Sequence, residues 1–338
     1  MSDESDDVDI SAQDPVASAA GGESAQDAEL AAVREALDGL RREIQLRFGA
    51  EHEDAPGERR LPASALFAEL RRRLSTLGMS ERSGEVDEFG MDEVVVRRAR
   101  PVLDFLYERY WRVDLEGAEH LPEKGPALLV ANRSGLLPYD GLMLTHAIER
   151  LRPAAERARF FVADWLMTLP FAQPYLARLG GVRACRENAE RLLAADRLVV
   201  VFPEGVKGAA KAFRDRYRLQ RFGRGGVIRV ALETGVPLVP IGIVGAEEAH
   251  PVLFKWTPPG RALPFVPVTP TFPLLGPLGV LPLPSKWVIR IGEPVELSQL
   301  GPDAARDELL LSRLTEDLRA EIQALVDSAL RERESVWS

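Results

Sequence analysis

From Trp111 to Ile291 the chain alternates short, mainly apolar runs with longer stretches whose apolar residues recur every three or four positions. The runs predict strands at Arg112 to Leu115, Ala127 to Ala131, Phe160 to Ala163, Val182 to Ala184, Leu198 to Phe202, Leu238 to Val244 and Trp287 to Ile291. Between them, helices are expected at Asp140 to Arg150, Leu166 to Leu179, Glu187 to Ala195 and Val227 to Thr234. Buried strands joined through helices make an α/β fold, a mixed, mostly parallel sheet flanked by helices. Ahead of the sheet, Val94 to Trp111 reads as a helix with Pro101 as a kink or break. A C-terminal helix over Pro302 to Arg333 sets Leu311, Leu314, Leu318, Ile322 and Leu325 on one face.

Upstream lies an N-terminal helical extension. Leu30, Val33, Leu37, Leu40 and Ile44 share one face of an amphipathic helix suited to docking or self-association, and Leu61 to Leu77 reads as a second helix. The expected regions are an acidic tail over 1–28, helices with linkers over 29–95, an α/β domain over 96–300 and a C-terminal helix over 301–338. The tail governs the net charge of −9: residues 1–30 carry nine acids and no Lys or Arg, and the rest of the chain holds 43 acidic and 43 basic residues. Such a tail buries no core and is expected to be disordered.

The single cysteine, Cys185, excludes an internal disulfide, and no Cys/His cluster suggests zinc. A reducing cytosol is therefore expected, with no secretory signal. Residues 262–285 are uncharged but hold seven prolines, which forbids a spanning helix. A membrane is thus expected to be met from one side. The segment either dips into the interface, with Trp256 and Trp287 near its edges, or forms a proline-stiffened loop on the body.

Four blocks are candidates for chemistry. Asn132-Arg133-Ser134-Gly135-Leu136-Leu137-Pro138-Tyr139-Asp140 follows one strand, and Asp140 begins a helix, where a carboxylate serves as an N-cap. Phe202-Pro203-Glu204-Gly205-Val206-Lys207-Gly208 follows another; its glycines admit close approach, and its backbone N–H groups with Lys207 suit a phosphate, or it is a plain polar turn. Residues 207–229 then carry net charge +7, with Phe213, Tyr217 and Phe222 interleaved, an anion-attracting surface. In Gly180-Gly181-Val182-Arg183-Ala184-Cys185-Arg186, either arginine suits bidentate phosphate binding. The neutral body and the lack of a nucleic-acid motif argue against a nucleic-acid partner.

Taken in order, these blocks resemble the glycerolipid acyltransferase superfamily that includes the bacterial lysophosphatidic acid acyltransferases, over roughly Tyr110 to Pro294. The Phe-Pro-Glu-Gly block is the most specific element, Arg186 looks like the arginine of the second block, and Leu238-Val239-Pro240-Ile241 looks like the fourth. The resemblance implies acyl transfer from acyl-CoA or an acyl carrier protein, as co-substrate and not as a bound cofactor, to a hydroxyl of a glycerolipid. The enzyme would be peripheral on the cytoplasmic face of a membrane.

It also implies a histidine base oriented by an aspartate. Asp140 matches the aspartate, but Arg133 stands at the histidine position, and a guanidinium has no acceptor atom with which to take a proton. Arg186, Glu204, Gly205 and Lys207 would bind substrate. Three readings follow: a catalytically impaired relative that binds lipid or acyl-CoA, an enzyme using another base such as His146, or slow activity from substrate binding alone.

Overall fold

The computed structural model describes residues 65, 69, 86–135, 137–152, 157–168, 172–256, 265–276, 279 and 281–336. The expected tail and the helix of Leu30 to Ile44 lie outside them, as does Leu61 to Leu77 apart from Ala65 and Glu69.

Asp92 caps α1 (Glu93–Phe105) by accepting the N–H groups of Val94 and Val95, and a wider π turn, Leu106–Tyr110, continues it. Pro101 sits inside α1 without ending it. Arg97 and Pro101 are both exposed, so the proline lies on the solvent face of the helix. Then come β1 (Asp114–Glu116), β2 (Ala127–Ala131), α2 (Tyr139–Leu151), β3 (Arg159–Val162), α3 (Asp164–Met167), α4 (Gln173–Arg178), β4 (Gly181–Arg183), α5 (Arg186–Ala194) and β5 (Leu198–Val201). After α6 (Gly205–Ala209) follow α7 (Gly226–Thr234), β6 (Leu238–Val244), α8 (Ala246–Ala249), β7 (Phe254–Trp256), β8 (Val266–Val268), β9 (Val288–Ile291) and α9 (Glu308–Glu332).

The main sheet runs β1-β9-β6-β2-β5-β3-β4. Every pair is parallel except β6 with β9, so the sheet is mixed and mostly parallel as expected. The apolar run of β2 divides by parity. Ala127, Leu129 and Ala131 join the core with α1 and α2, while Leu128 and Val130 join the core with α5, α7 and α9. α9 lies so close that a Cβ on Gly242 of β6 would come within 2.9 Å of Leu325 Cβ. Trp111 and Trp287 stack at 4.4 Å, and their indole N–H groups donate to Leu283 O and Ser285 Oγ.

Several expectations need correction. Helix Leu166 to Leu179 is two short helices, α3 and α4, as Pro170 and Pro174 within it would favour. The C-terminal helix starts later: Pro302–Arg306 is a 3₁₀ turn, and Asp307 caps α9 through the N–H groups of Leu309 and Leu310. Within the proline-rich segment, β8 pairs antiparallel with β7. Trp287 is fully buried and so lies at no membrane edge.

Candidate functional site

β2 and β5 are neighbours, with Val130 opposite Val201, so the turns that leave them start side by side at the C-terminal edge of the sheet. That edge is where open α/β sheets place ligands. Asn132 makes the exit. Its side-chain amide donates to Ile243 O at 2.9 Å and accepts from Ile243 N at 2.7 Å, continuing the β2–β6 ladder while the main chain departs.

The two turns then lock together through Arg133. Its backbone N–H donates to Glu204 Oε1 at 2.8 Å, and its guanidinium donates to Asp140 Oδ1 at 2.7 Å and lies over the Phe202 ring. Asp140 is not the helix cap, a position taken by Pro138. Its carboxylate reaches back along the turn, accepting from Ser134 N at 3.0 Å, Ser134 Oγ at 3.2 Å and Gly141 N at 2.8 Å. Burial pushes this carboxyl above the usual carboxylate range, against the pull of Arg133 and these donors.

Glu204 holds the second turn from within. Besides Arg133 N it accepts from Gln220 N at 2.6 Å, and Lys211 Nζ lies 3.5 Å away. Lys211, a member of the basic run, is buried and donates to Glu247 Oε1 at 2.9 Å, while Tyr217 N donates to Glu247 Oε2 at 3.1 Å. Burial drives the Glu247 carboxyl upward, opposed chiefly by Lys211. The result is two buried charge clusters, Arg133 with Asp140 and Lys211 with Glu204 and Glu247, joined by the Arg133 backbone N–H on Glu204. Gly208 lets the turns meet: a Cβ there would lie 2.6 Å from Glu204 Cβ and 2.8 Å from Arg133 Cβ.

The remaining expected residues stand elsewhere. Gly205, at φ +56°, and Lys207 are exposed on α6. Arg186 is exposed at the start of α5, paired with Glu190 and Glu233 at 2.6 and 2.7 Å. It lines a cavity of about 300 Å³ walled by Leu128, Phe161, Val201, Pro203, Val230 and Leu318, with Arg224 also on its lining. Pro203 connects this cavity to the Glu204 turn. Two aromatics of the basic run serve the core, for Tyr217 and Phe222 are buried, while Phe213 is half-buried and Arg214, Arg216, Arg218, Arg221 and Arg224 are exposed.

His146 lies away from the turns. It faces Asp104, with Nε2 3.0 Å from Oδ1, and packs edge-on against Tyr107 of the π turn. Burial lowers its pKa to about 4. Among the described residues no group of three or more His, Cys, Asp and Glu could hold a metal ion.

Sequence reasoning missed Asn132's bridging amide and Glu247. The available signal for Glu247 was a pair of acids, Glu247-Glu248, directly behind the most apolar strand, where a carboxylate needs a partner.

Compared with known proteins, residues 112–244 match the family model Acyltransferase. The uncharacterized protein ML2427 of Mycobacterium leprae is 44% identical over 255 residues, covering 75% of this chain and 70% of that protein. The 1-acyl-sn-glycerol-3-phosphate acyltransferase alpha of Mus musculus is 28% identical over 157 residues, 44% of this chain and 52% of that one. The crystal structure of the 1-acyl-sn-glycerophosphate (LPA) acyltransferase PlsC from Thermotoga maritima aligns with a TM-score of 0.46 at 19% identity, over 82% of this chain and 98% of that one.

Proposed function

Because the chain belongs to the glycerolipid acyltransferase superfamily, we propose that it moves an acyl chain from acyl-CoA or an acyl carrier protein to a hydroxyl of a glycerolipid or similar phospholipid-like acceptor. One observation carries this reading: Arg133 joins the two strand-end turns, its N–H on Glu204 at 2.8 Å and its guanidinium on Asp140 at 2.7 Å. A fixed cation at the C-terminal edge of a parallel sheet suits a thioester carbonyl that gains negative charge as the hydroxyl attacks. In this arrangement Asp140 orients Arg133 where relatives of the resembled type would orient a histidine. Glu204 fixes the second turn and does not contact substrate.

The acyl chain fits the apolar cavity beside Pro203, and Arg186 at its lining, with Lys207 on α6, suits the phosphate of donor or acceptor. Among the described residues no helix is long and apolar enough to cross a membrane. Contact with the cytoplasmic membrane face falls instead to the β7–β8 ribbon and the turn beyond it, where Trp256 is 58% and Leu274 72% exposed, with Phe254 and Leu275 beside them.

The test is purified protein with labelled acyl-CoA or acyl carrier protein and a panel of lyso-lipids, the product identified by mass. Acylated lipid that depends on the natural chain supports the reading; its absence across the panel refutes it. A second reading, a non-catalytic lipid or acyl-CoA binder, is favoured by the Arg133–Asp140 pair, which occupies the place of a base with a group that takes no proton. Saturable acyl-CoA binding without product identifies it.

A further inference from the structure

We propose that the β7–β8 ribbon and the basic turn beside it form one docking surface for an anionic phospholipid bilayer. The proposal deepens the membrane contact named above, and it rests on the acyltransferase reading for what the bound lipid is there to do.

The ribbon is a two-stranded sheet of its own, separate from the main sheet. Its register sets Phe254 opposite Val268 and Trp256 opposite Val266, so these four side chains share one face, with Lys255 and Pro267 on the other. Every residue of β7 is exposed. The chain leaving β8 turns through Leu274 and Leu275, which are exposed as well. Apolar surface gathered in this way marks a docking site.

The basic turn is tied to the root of the ribbon. Phe213 N donates to Val252 O and Leu253 N to Val268 O, each at 2.8 Å, so the turn meets the chain two residues ahead of Phe254. After Phe213 come Arg214, Arg216 and Arg218, all exposed, against the single acid Asp215. Asp215 reaches Arg214 only at 3.6 Å, in an exposed pair that an anionic ligand displaces at little cost. Arg216 lies over the Phe213 ring, 4.6 Å from its centroid.

Two features favour a lipid surface over other anionic partners. Aromatic and aliphatic side chains next to exposed arginines suit a boundary of acyl chains and headgroup phosphates. The chain as a whole carries −9, so its overall charge opposes an anionic bilayer, and attraction falls to the segregated basic turn. The turn also adjoins the strand-end site, since Lys211 ahead of it and Tyr217 N within it both donate to Glu247. A bilayer held at Arg214 and Arg216 thus lies a few residues along the chain from the buried charge clusters.

The experiment follows flotation of the full-length natural chain with vesicles of phosphatidylcholine alone and of phosphatidylcholine mixed with phosphatidylglycerol, over a salt series. The natural chain is expected to prefer the anionic vesicles and to lose that preference as salt rises. Replacing Arg214→Gln and Arg216→Gln should weaken anionic binding about fivefold per arginine. Trp256→Ser with Leu274→Ser should weaken binding to both vesicle types at every salt concentration, with thermal melts checking each fold. Equal binding of the natural chain to both vesicle types, or to neither, overturns the proposal without recourse to a variant. Undiminished anionic binding by the folded arginine variant also overturns it. Tighter binding to poly-glutamate than to anionic vesicles would assign the turn to an acidic protein instead. A dimer broken by the ribbon variant, with vesicle binding unchanged, would assign the ribbon to a second copy. Vesicle binding is read without turnover, so the two failures are distinguishable: no binding leaves transfer to detergent-dispersed lipid intact, and no transfer by a chain that floats overturns the acyltransferase reading alone.

Discussion

The strand-end turns and the cavity beside them carry the same kinds of side chain and treat them in opposite ways. Around Arg133, Asp140, Glu204 and Lys211 the charges are buried and matched pair by pair. Around Arg186 and Arg224 the guanidinium groups are exposed, and the partners of Arg186 are surface glutamates. A charge in the first region is committed to the fold, because unpairing it strands its partner away from water. A charge in the second gives up little when an anionic ligand displaces a screened surface pair. Residues that match a family's blocks thus divide into those that build the site and those available to grip a substrate.

The largest effect expected from that contrast is on Asp140. Asp140→Asn leaves the Arg133 cation without its countercharge and should cost about 3–5 kcal/mol in denaturant unfolding; a cost under about 1 kcal/mol would mean the turn is not held as described.

His146, further along α2 and away from the turns, is also fully buried. Its folded pKa of about 4 lies below the unfolded value. As pH falls, the unfolded chain therefore takes the proton first, and stability should drop by about 3 kcal/mol between roughly pH 6.5 and 4. The drop should flatten in His146→Gln, and unfolding curves across that range read it directly.

Gly208→Ala comes next. Its Cβ has no room between Glu204 and Arg133 and should cost about 1–3 kcal/mol. The smallest stability effect is expected at Arg186→Ala, within about 0.5 kcal/mol. Acyl-CoA affinity should nevertheless fall about tenfold, since a charge-assisted contact is worth roughly 1.5–3 kcal/mol. Equal losses of stability at Arg186 and Asp140 would erase the distinction between the two regions.

The parts legible in the sequence are those that local pattern governs. Apolar runs gave the central strands β2, β3, β5 and β6 to within a residue, because a doubly buried strand has to be apolar along its length. The turns after Ala131 and Val201 stood out because polar residues there interrupt such runs. What stayed hidden depends on pairing across the chain. Glu204 reads as a ligand-facing carboxylate until Arg133 N and Gln220 N are seen to occupy it. Lys211 reads as one more surface cation until Glu247, from beyond β6, is placed against it. His146 and His250 are indistinguishable in sequence, yet one is sealed against Asp104 and the other borders the Arg133 turn. Pro101 reads as a break because its exposed face is a tertiary fact.

The central claim, that this charge-locked pair of turns is a working acyltransferase site with arginine at residue 133, is tested most directly by acyl transfer measured side by side for the natural chain and Arg133→His. The account predicts ester product from the natural chain and a slower rate in the variant, where Asp140 loses its buried cation. Product formed only by Arg133→His, with none from the natural chain, would contradict it.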